Sequence, residues 1–281
     1  MVDATTPETL CREAAEQLPK LFADWRCPEF FVQFGPGFQI SGLFDEPPQT
    51  APLAQLPGLP DEPTPDALHP ELAFGTCRGR AILVLAGHRH LAEARGTAPC
   101  LLPVAAAALQ GCRNHVLVGT AIGLRPELKT GGWTMLTDFI NWHHVSPLDG
   151  LAALLPDPFP DMTDALSQPL NAEIVNSLAE VGITPRLVTY LAHPGFHACT
   201  RAEADFIRLT GVDVVGHDLA MEIITAHALG CKVSALALLT GQLLPGMPTC
   251  FDRRDMLETC AFCSAQFLRG LRLAIAEFKE S

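Results

Sequence analysis

Apolar residues recur along this chain in two alternating rhythms. Between Pro7 and Asp24 they fall at Leu10, Ala14, Leu18 and Leu21, a spacing that places them on one face of a helix. Phe30 to Phe34 (FFVQF) is a short apolar run that opens into Gly35-Pro36-Gly37, and Ala81 to Ala86 (AILVLA) is another that opens into Gly87. Further short apolar runs at His115 to Val118, Thr134 to Thr137, Arg186 to Ala192 and Cys231 to Leu239 predict strands. Helical patterns lie near Leu101 to Leu109, Asn171 to Val181, Ala202 to Leu209, Leu219 to Leu229 and Arg254 to Lys279. Strands alternating with helices of this length predict an α/β fold with a mixed, largely parallel central sheet flanked by helices. Ligands of such sheets bind beyond the carboxyl ends of the strands.

The segment from Pro47 to Pro70 breaks this rhythm. It holds eight of the 24 prolines and shows little periodicity, which predicts an irregular surface excursion or loop. The strand pattern resumes in the same style after it, so residues 1–281 read as one domain. The chain has 281 residues, 48% of them hydrophobic, which suffices for a sizeable core. No run of about 18 apolar residues occurs, and the first residues, MVDATTPETLCREAAEQL, are polar and unlike a signal peptide. These features predict a soluble, cytoplasmic protein. Ten irregularly spaced cysteines fit a reducing compartment in which most are buried thiols. A formal charge of −12 argues against nucleic acid as a partner, because phosphate-backbone binding relies on a basic face.

Local motifs narrow the chemistry. Gly35-Pro36-Gly37 after a strand could bring backbone N–H groups close to an anion, but Pro36 has no N–H to offer, and read alone the motif is a tight turn. In Gly87-His88-Arg89-His90, alternate residues His88 and His90 point the same way if the extended conformation continues, and two convergent imidazoles suit a metal or an anion. A polar rim at a strand end is the other reading. Cys260 and Cys263 have CxxC spacing within a long helical pattern and no second pair, which reads as buried thiols. Thr200 and Glu203 have the spacing of a capping box at a helix start. His143-His144 falls where a solvated loop is expected. No GxSxG elbow, Walker loop or HExxH sequence is present, so the common hydrolase, nucleotide triphosphatase and zincin mechanisms gain no support.

The stretch from Val118 to Asn141, VGTAIGLRPELKTGGWTMLTDFIN, resembles the trimeric purine nucleoside phosphorylases, and the resemblance runs from about Pro28 to the C-terminal helix. It implies phosphate-dependent cleavage of a nucleoside's N-glycosidic bond, a homotrimer, a nucleoside-like ligand with phosphate, and no required cofactor. The phosphate-site equivalents are Pro36, His88, His90, Thr120 and Asp218. Here Pro36 stands for the family's loop serine, His88 for its phosphate-binding arginine, and Asp218 for a phosphate-binding serine. The run Phe159-Pro160-Asp161-Met162-Thr163-Asp164-Ala165 is similar to one whose phenylalanine closes a neighbouring subunit's sugar pocket. Tyr190 matches a sugar-contacting tyrosine. Cys199 stands at the purine-recognising glutamate, Gly241 at the purine-recognising asparagine, and Arg253 at a histidine that contacts the sugar 5′ position. His217, His193 and His197 map near the base and sugar pocket. Such replacements imply weakened purine phosphorolysis, because a carboxylate and an amide ordinarily stabilise the departing base. The alternatives are an inactive nucleoside- or nucleotide-binding homologue, or a metal-assisted hydrolase that holds a metal ion on His88, His90 and Asp218.

Overall fold

Phe30–Phe34 forms strand β1, and all five of its residues are buried, as an apolar run covered on both sheet faces requires. The computed structural model describes residues 6–63, 69–195, 197–246 and 252–279. Eight further strands complete one sheet among these residues: β2 Gln49–Pro52, β3 Glu71–Cys77, β4 Arg80–Ala86, β5 Asn114–Gly123, β6 Trp133–Asn141, β7 Arg186–Ala192, β8 Val214–Gly216 and β9 Lys232–Gln242. The helices are α1 Pro7–Gln17, α2 Ala98–Leu109, α3 Gln168–Glu180, α4 Arg201–Leu209, α5 Ala220–Ala228 and α6 Arg253–Glu277. The expected mixed α/β sheet with flanking helices is the architecture found.

The strand order is β2-β3-β4-β1-β5-β8-β7-β6-β9, and β5 also pairs with β9. Strands β5, β9, β6, β7 and β8 therefore close into a ring, while β1 to β4 extend from it as an open wing. Strand β5 belongs to both. Its first half pairs in parallel with β1, and its last two residues pair antiparallel with β8. Helices α1, α2 and α5 contribute to one apolar cluster, with Ala14, Leu101 and Ile223 fully buried. Helices α3 and α6 cover the other side through Ile174, Phe267 and Leu271.

The structure corrects several expected boundaries. The first helix ends at Gln17 instead of continuing to Asp24, because Pro19 cannot donate a backbone hydrogen bond to Ala15. The Ala15 carbonyl accepts from the Gln110 side chain at 2.7 Å instead. Within Pro47 to Pro70, β2 pairs with β3, and Ala51, Leu53, Leu56 and Leu59 are buried. This stretch is thus an attached edge of the sheet rather than an irregular excursion. Pro52 is tolerated because β2 is an edge strand. Residues 64–68 of it lie outside the described residues.

One buried histidine couples this core to pH. His115, at the start of β5, is fully buried against Phe31, with Nε2 3.3 Å from the Cys112 carbonyl oxygen. Burial pulls its pKa down from 6.5 to about 4. The folded imidazole therefore resists protonation while an unfolded one accepts it, so stability is complete above about pH 6.5 and falls as pH drops towards 4. The loss amounts to about 3 kcal/mol. Urea titrations should show this acid-side decline in the parent protein and a flatter profile for His115→Gln between those pH values.

Candidate functional site

Strand register brings the glycine loops together. Phe34 of β1 lies opposite Ala86 of β4 and Val118 of β5, all three strands running parallel. The residues that follow therefore leave the sheet at one edge. Gly35 donates to the Val118 carbonyl at 2.8 Å, and Gly87 donates to the Phe34 carbonyl at 2.9 Å. A side chain on Gly37 would meet Leu257 Cδ2 at 2.9 Å and Cys260 Cβ at 3.1 Å, so this loop packs directly on α6. Pro36 is buried within it.

His88 and His90, which the sequence predicted to point the same way, both reach one carboxylate. His88 Nε2 lies 3.0 Å from Asp218 Oδ1, and His90 Nδ1 lies 2.9 Å from the same oxygen. Asp218 leaves the end of β8 and precedes α5. Burial works to raise its carboxyl, but the two imidazoles outweigh it and hold the group well below the usual carboxylate range. An anion thus occupies the place where the family resemblance puts phosphate. Beneath it, Glu222 accepts from the Gln33 amide at 3.0 Å. Burial pushes the Glu222 carboxyl up, with His88 opposing and Asp218 adding to the rise.

The backbone around Asp218 is tightly determined. The Tyr190 hydroxyl donates to the Asp218 carbonyl at 2.9 Å and accepts from the Asp218 N–H at 3.2 Å. Leu219 adopts φ +73°, and the Ala220 N–H closes a γ-turn on the Asp218 carbonyl at 2.9 Å. A left-handed conformation at a branched apolar residue stores strain that surrounding contacts must hold. Gly119 provides the room, because a Cβ there would stand 3.2–3.3 Å from the Leu219 side chain.

Arg89 faces away from this carboxylate, as its intervening position predicted. It donates to Glu93 at 3.1 Å, to the Pro60 carbonyl at 2.7 Å and to the Glu62 carbonyl. The arginine therefore fastens the proline-rich segment to the histidine loop. Glu93 also accepts from the His90 N–H at 2.8 Å, which sets the backbone of that histidine.

A second group of histidines gathers at the ends of β6, β7 and β8. The His193 N–H donates to the Gly216 carbonyl at 2.7 Å, and His217 Nδ1 lies 3.1 Å from the His193 carbonyl oxygen. The His193 ring stands 5.1 Å from that of His197 and 5.9 Å from that of His217. Its Nε2 is 4.0 Å from Glu203 Oε1. Glu203 and Thr200 form the predicted capping box at the start of α4. His143 is a correction: the expected solvated loop histidine is buried, because β7 and β8 end beside it, while His144 is exposed. Burial pushes the His143 pKa down, with Asp218 opposing. Six of the ten histidines thus collect at one sheet edge, and two of these groups, His143 with His217 and Glu203 with His193, bridge positions that show no spacing relation in sequence.

The remaining predicted positions are placed as follows. Thr120 is half-buried in β5, just before a register shift between Ala121 and Ile122. Tyr190 is fully buried below Asp218. Cys199 is half-buried, and burial raises its pKa to about 11, leaving a neutral thiol. Gly241 lies near the end of β9. Arg253 is exposed at the first turn of α6, and Phe159 is 88% exposed. Cys260 is buried and Cys263 half-buried, both with raised pKa values caused first by burial, in keeping with structural thiols.

The sequence profile of the phosphorylase superfamily matches residues 47–271. The chain belongs to the nucleoside phosphorylase family. It is 25% identical over 270 residues to purine nucleoside phosphorylase 1 of Geobacillus stearothermophilus, covering 95% of this chain and 97% of the relative. Against the purine nucleoside phosphorylase of Mycobacterium tuberculosis it is 33% identical over 196 residues, covering 69% and 68%. The fold is similar to that of Schistosoma mansoni purine nucleoside phosphorylase solved with inosine, at a TM-score of 0.86 and 23% identity, covering 98% of this chain and 99% of that one. This family membership accounts for the shared sheet edge.

Removing one hydroxyl tests the support of Asp218. Tyr190→Phe leaves the Asp218 N–H and carbonyl without that partner in a buried place, and the expected cost is about 1–3 kcal/mol in equilibrium unfolding. A change below a few tenths of a kcal/mol would mean that the phenol does not hold this turn.

Proposed function

We propose that the protein binds a nucleoside-like ligand at the edge formed by the ends of β1, β4, β5, β7 and β8, and acts on its N-glycosidic bond. The observation that carries this reading is the near full-length kinship with purine nucleoside phosphorylases in both sequence and fold. The family's reaction transfers the sugar to phosphate and releases the base. In this chain the phosphate pocket holds an ionised, buried Asp218 between His88 and His90. The Asp218 carboxylate repels a phosphate dianion there, and imidazoles do not supply the bidentate fork of a guanidinium. The base pocket is altered too: by resemblance, Cys199 and Gly241 occupy the places of a carboxylate and an amide. Removing one donor that stabilises developing charge typically costs about a hundredfold to a thousandfold in rate. Phosphorolysis of inosine is therefore a weak activity of this protein.

A second reading follows from the same carboxylate. Where phosphate is disfavoured, water held by Asp218 or a neighbouring histidine becomes the acceptor of the sugar, and cleavage is hydrolytic. A protein that holds the nucleoside without turnover, or a nucleotide through Arg253, is the third form of this proposal. All three share the ligand class and place the protein in the cytoplasm.

Base release from inosine, guanosine and adenosine, with and without phosphate, separates them. The expected result is a kcat/KM for inosine with phosphate at least a hundredfold below that of the Geobacillus stearothermophilus relative assayed alongside. The double substitution His88→Arg with Asp218→Ser should raise phosphate-dependent release at least tenfold. Parent activity equal to the relative's would refute the weakened phosphate site, and release indifferent to phosphate would favour hydrolysis.

We also infer a homotrimer in which Phe159 reaches a neighbouring subunit's pocket. Its 88% exposure in the single chain supports a role that a protomer alone does not satisfy. Light scattering after gel filtration should give three times the 30.2 kDa chain mass. Phe159→Ala should raise the dissociation constant for a nucleoside without altering the fold. A monomer in solution would overturn this inference.

A further inference from the structure

We infer that His88, His90 and Asp218 form a binding site for one divalent transition-metal ion, with Zn²⁺ the best match. The inference is independent of whether the protein cleaves nucleosides. His88 Nε2 and His90 Nδ1 stand 3.0 Å and 2.9 Å from a single carboxylate oxygen. The three donor atoms lie within 4.8 Å of one another. Around a tetrahedral zinc with bonds of about 2.0–2.2 Å, neighbouring donors are roughly 3.3 Å apart. The two separations from Asp218 need only a few tenths of an ångström of side-chain rotation to match. Two imidazoles and one carboxylate are a donor set suited to Zn²⁺ in chemical type, and three protein ligands leave a fourth position for water or an anionic oxygen.

Rigidity and charge support the assignment. The His88 side chain is 3% exposed, that of His90 11% and that of Asp218 7%. His90 is fixed by Glu93 through its backbone N–H, and Asp218 by the Tyr190 hydroxyl and the γ-turn at Leu219. A preformed set of this kind loses little conformational entropy on binding. With both imidazoles deprotonated, as ligation of a metal ion requires, the trio carries one net negative charge in a buried place. A divalent ion converts that to one net positive charge, restoring at this edge the sign that a phosphate-binding arginine would have supplied.

The cluster of His193, His197 and Glu203 is the competing location within the same edge. It is the weaker one. His197 is exposed, and Glu203 already caps α4 through Thr200. Its His193 Nε2 to Glu203 Oε1 separation is 4.0 Å, about an ångström wider than the contacts on Asp218.

The test uses the full chain, stripped with chelator, and metal alone as the probe. Titration with Co²⁺ should give the intense visible absorption of a low-symmetry, four-coordinate site at one ion per chain, displaced by Zn²⁺. His90→Gln and Asp218→Asn should each weaken Zn²⁺ binding at least a hundredfold, as measured by competition with a chromophoric chelator. His197→Ala should change it less than threefold. Circular dichroism and unfolding midpoints identify any variant that fails to fold, and the two ligand variants stand independently of each other. Fewer than 0.1 equivalents of Zn²⁺ bound after equilibration with a micromolar excess would overturn the proposal. So would binding that survives both ligand variants or is lost in His197→Ala, since the ion would then sit on the other cluster. Because no nucleoside enters the experiment, an absent glycosidic activity would leave this result unchanged, and an absent metal would leave the nucleoside reading standing.

Discussion

A carboxylate buried at the end of a strand has to be compensated, and much of this molecule's sheet edge follows from how Asp218 is. Transfer of an unpaired carboxylate into the interior costs several kcal/mol, so burial alone would protonate it. Two imidazoles facing one oxygen reverse that tendency. They can do so only because β4 and β8 deliver their next residues to the same place, and that placement depends on β5, which pairs with β1 on one half and β8 on the other. The closed ring and the open wing therefore meet at the ionised group. Gly119 lies on β5 at this junction, and its lack of a side chain admits the left-handed Leu219 that turns Asp218 inward.

The same dependence explains why the proline-rich segment is attached. Arg89 cannot join His88 and His90 on the carboxylate, because the residue between two convergent ones points elsewhere. Its guanidinium is nevertheless buried and needs acceptors. The carbonyls of Pro60 and Glu62, with the Glu93 carboxylate, provide them. The loop around Pro60 and Glu62 is thus fastened to the histidine loop by supplying acceptors to a buried charge.

Legibility in the sequence followed the range of the interactions involved. Strands β1 and β7 were readable to the residue: β1 is a short apolar run covered on both faces, and β7 is rich in strand-favouring residues between turn signals. The capping box at Thr200 and Glu203 was readable because it is local. Strand β8 has three residues and β2 four, the last of them a proline, so neither shows a period, and only pairing with neighbours defines them. The convergence of His88 and His90 was visible as alternation. Their meeting with Asp218, 128 positions beyond His90, was visible only through resemblance to a family whose loops occupy the same edge. His143 was misread as solvated because nothing near it in sequence reveals that β7 and β8 end beside it.

Kinship and chemistry consequently constrain different parts of the function. Sheets of this kind bind ligands beyond the carboxyl ends of parallel strands, and the proposed nucleoside-like ligand class rests on near full-length similarity to purine nucleoside phosphorylases. The reaction depends on which charges stand there. Exchanging an arginine for a histidine and a serine for an aspartate, as the resemblance implies at positions 88 and 218, inverts the local sign while preserving the backbone that presents both side chains. On the metal site proposed above, a bound cation turns the same edge back into a site for anionic oxygen. The sheet edge can thus keep one ligand geometry while the group that neutralises its charge passes from the protein to an ion.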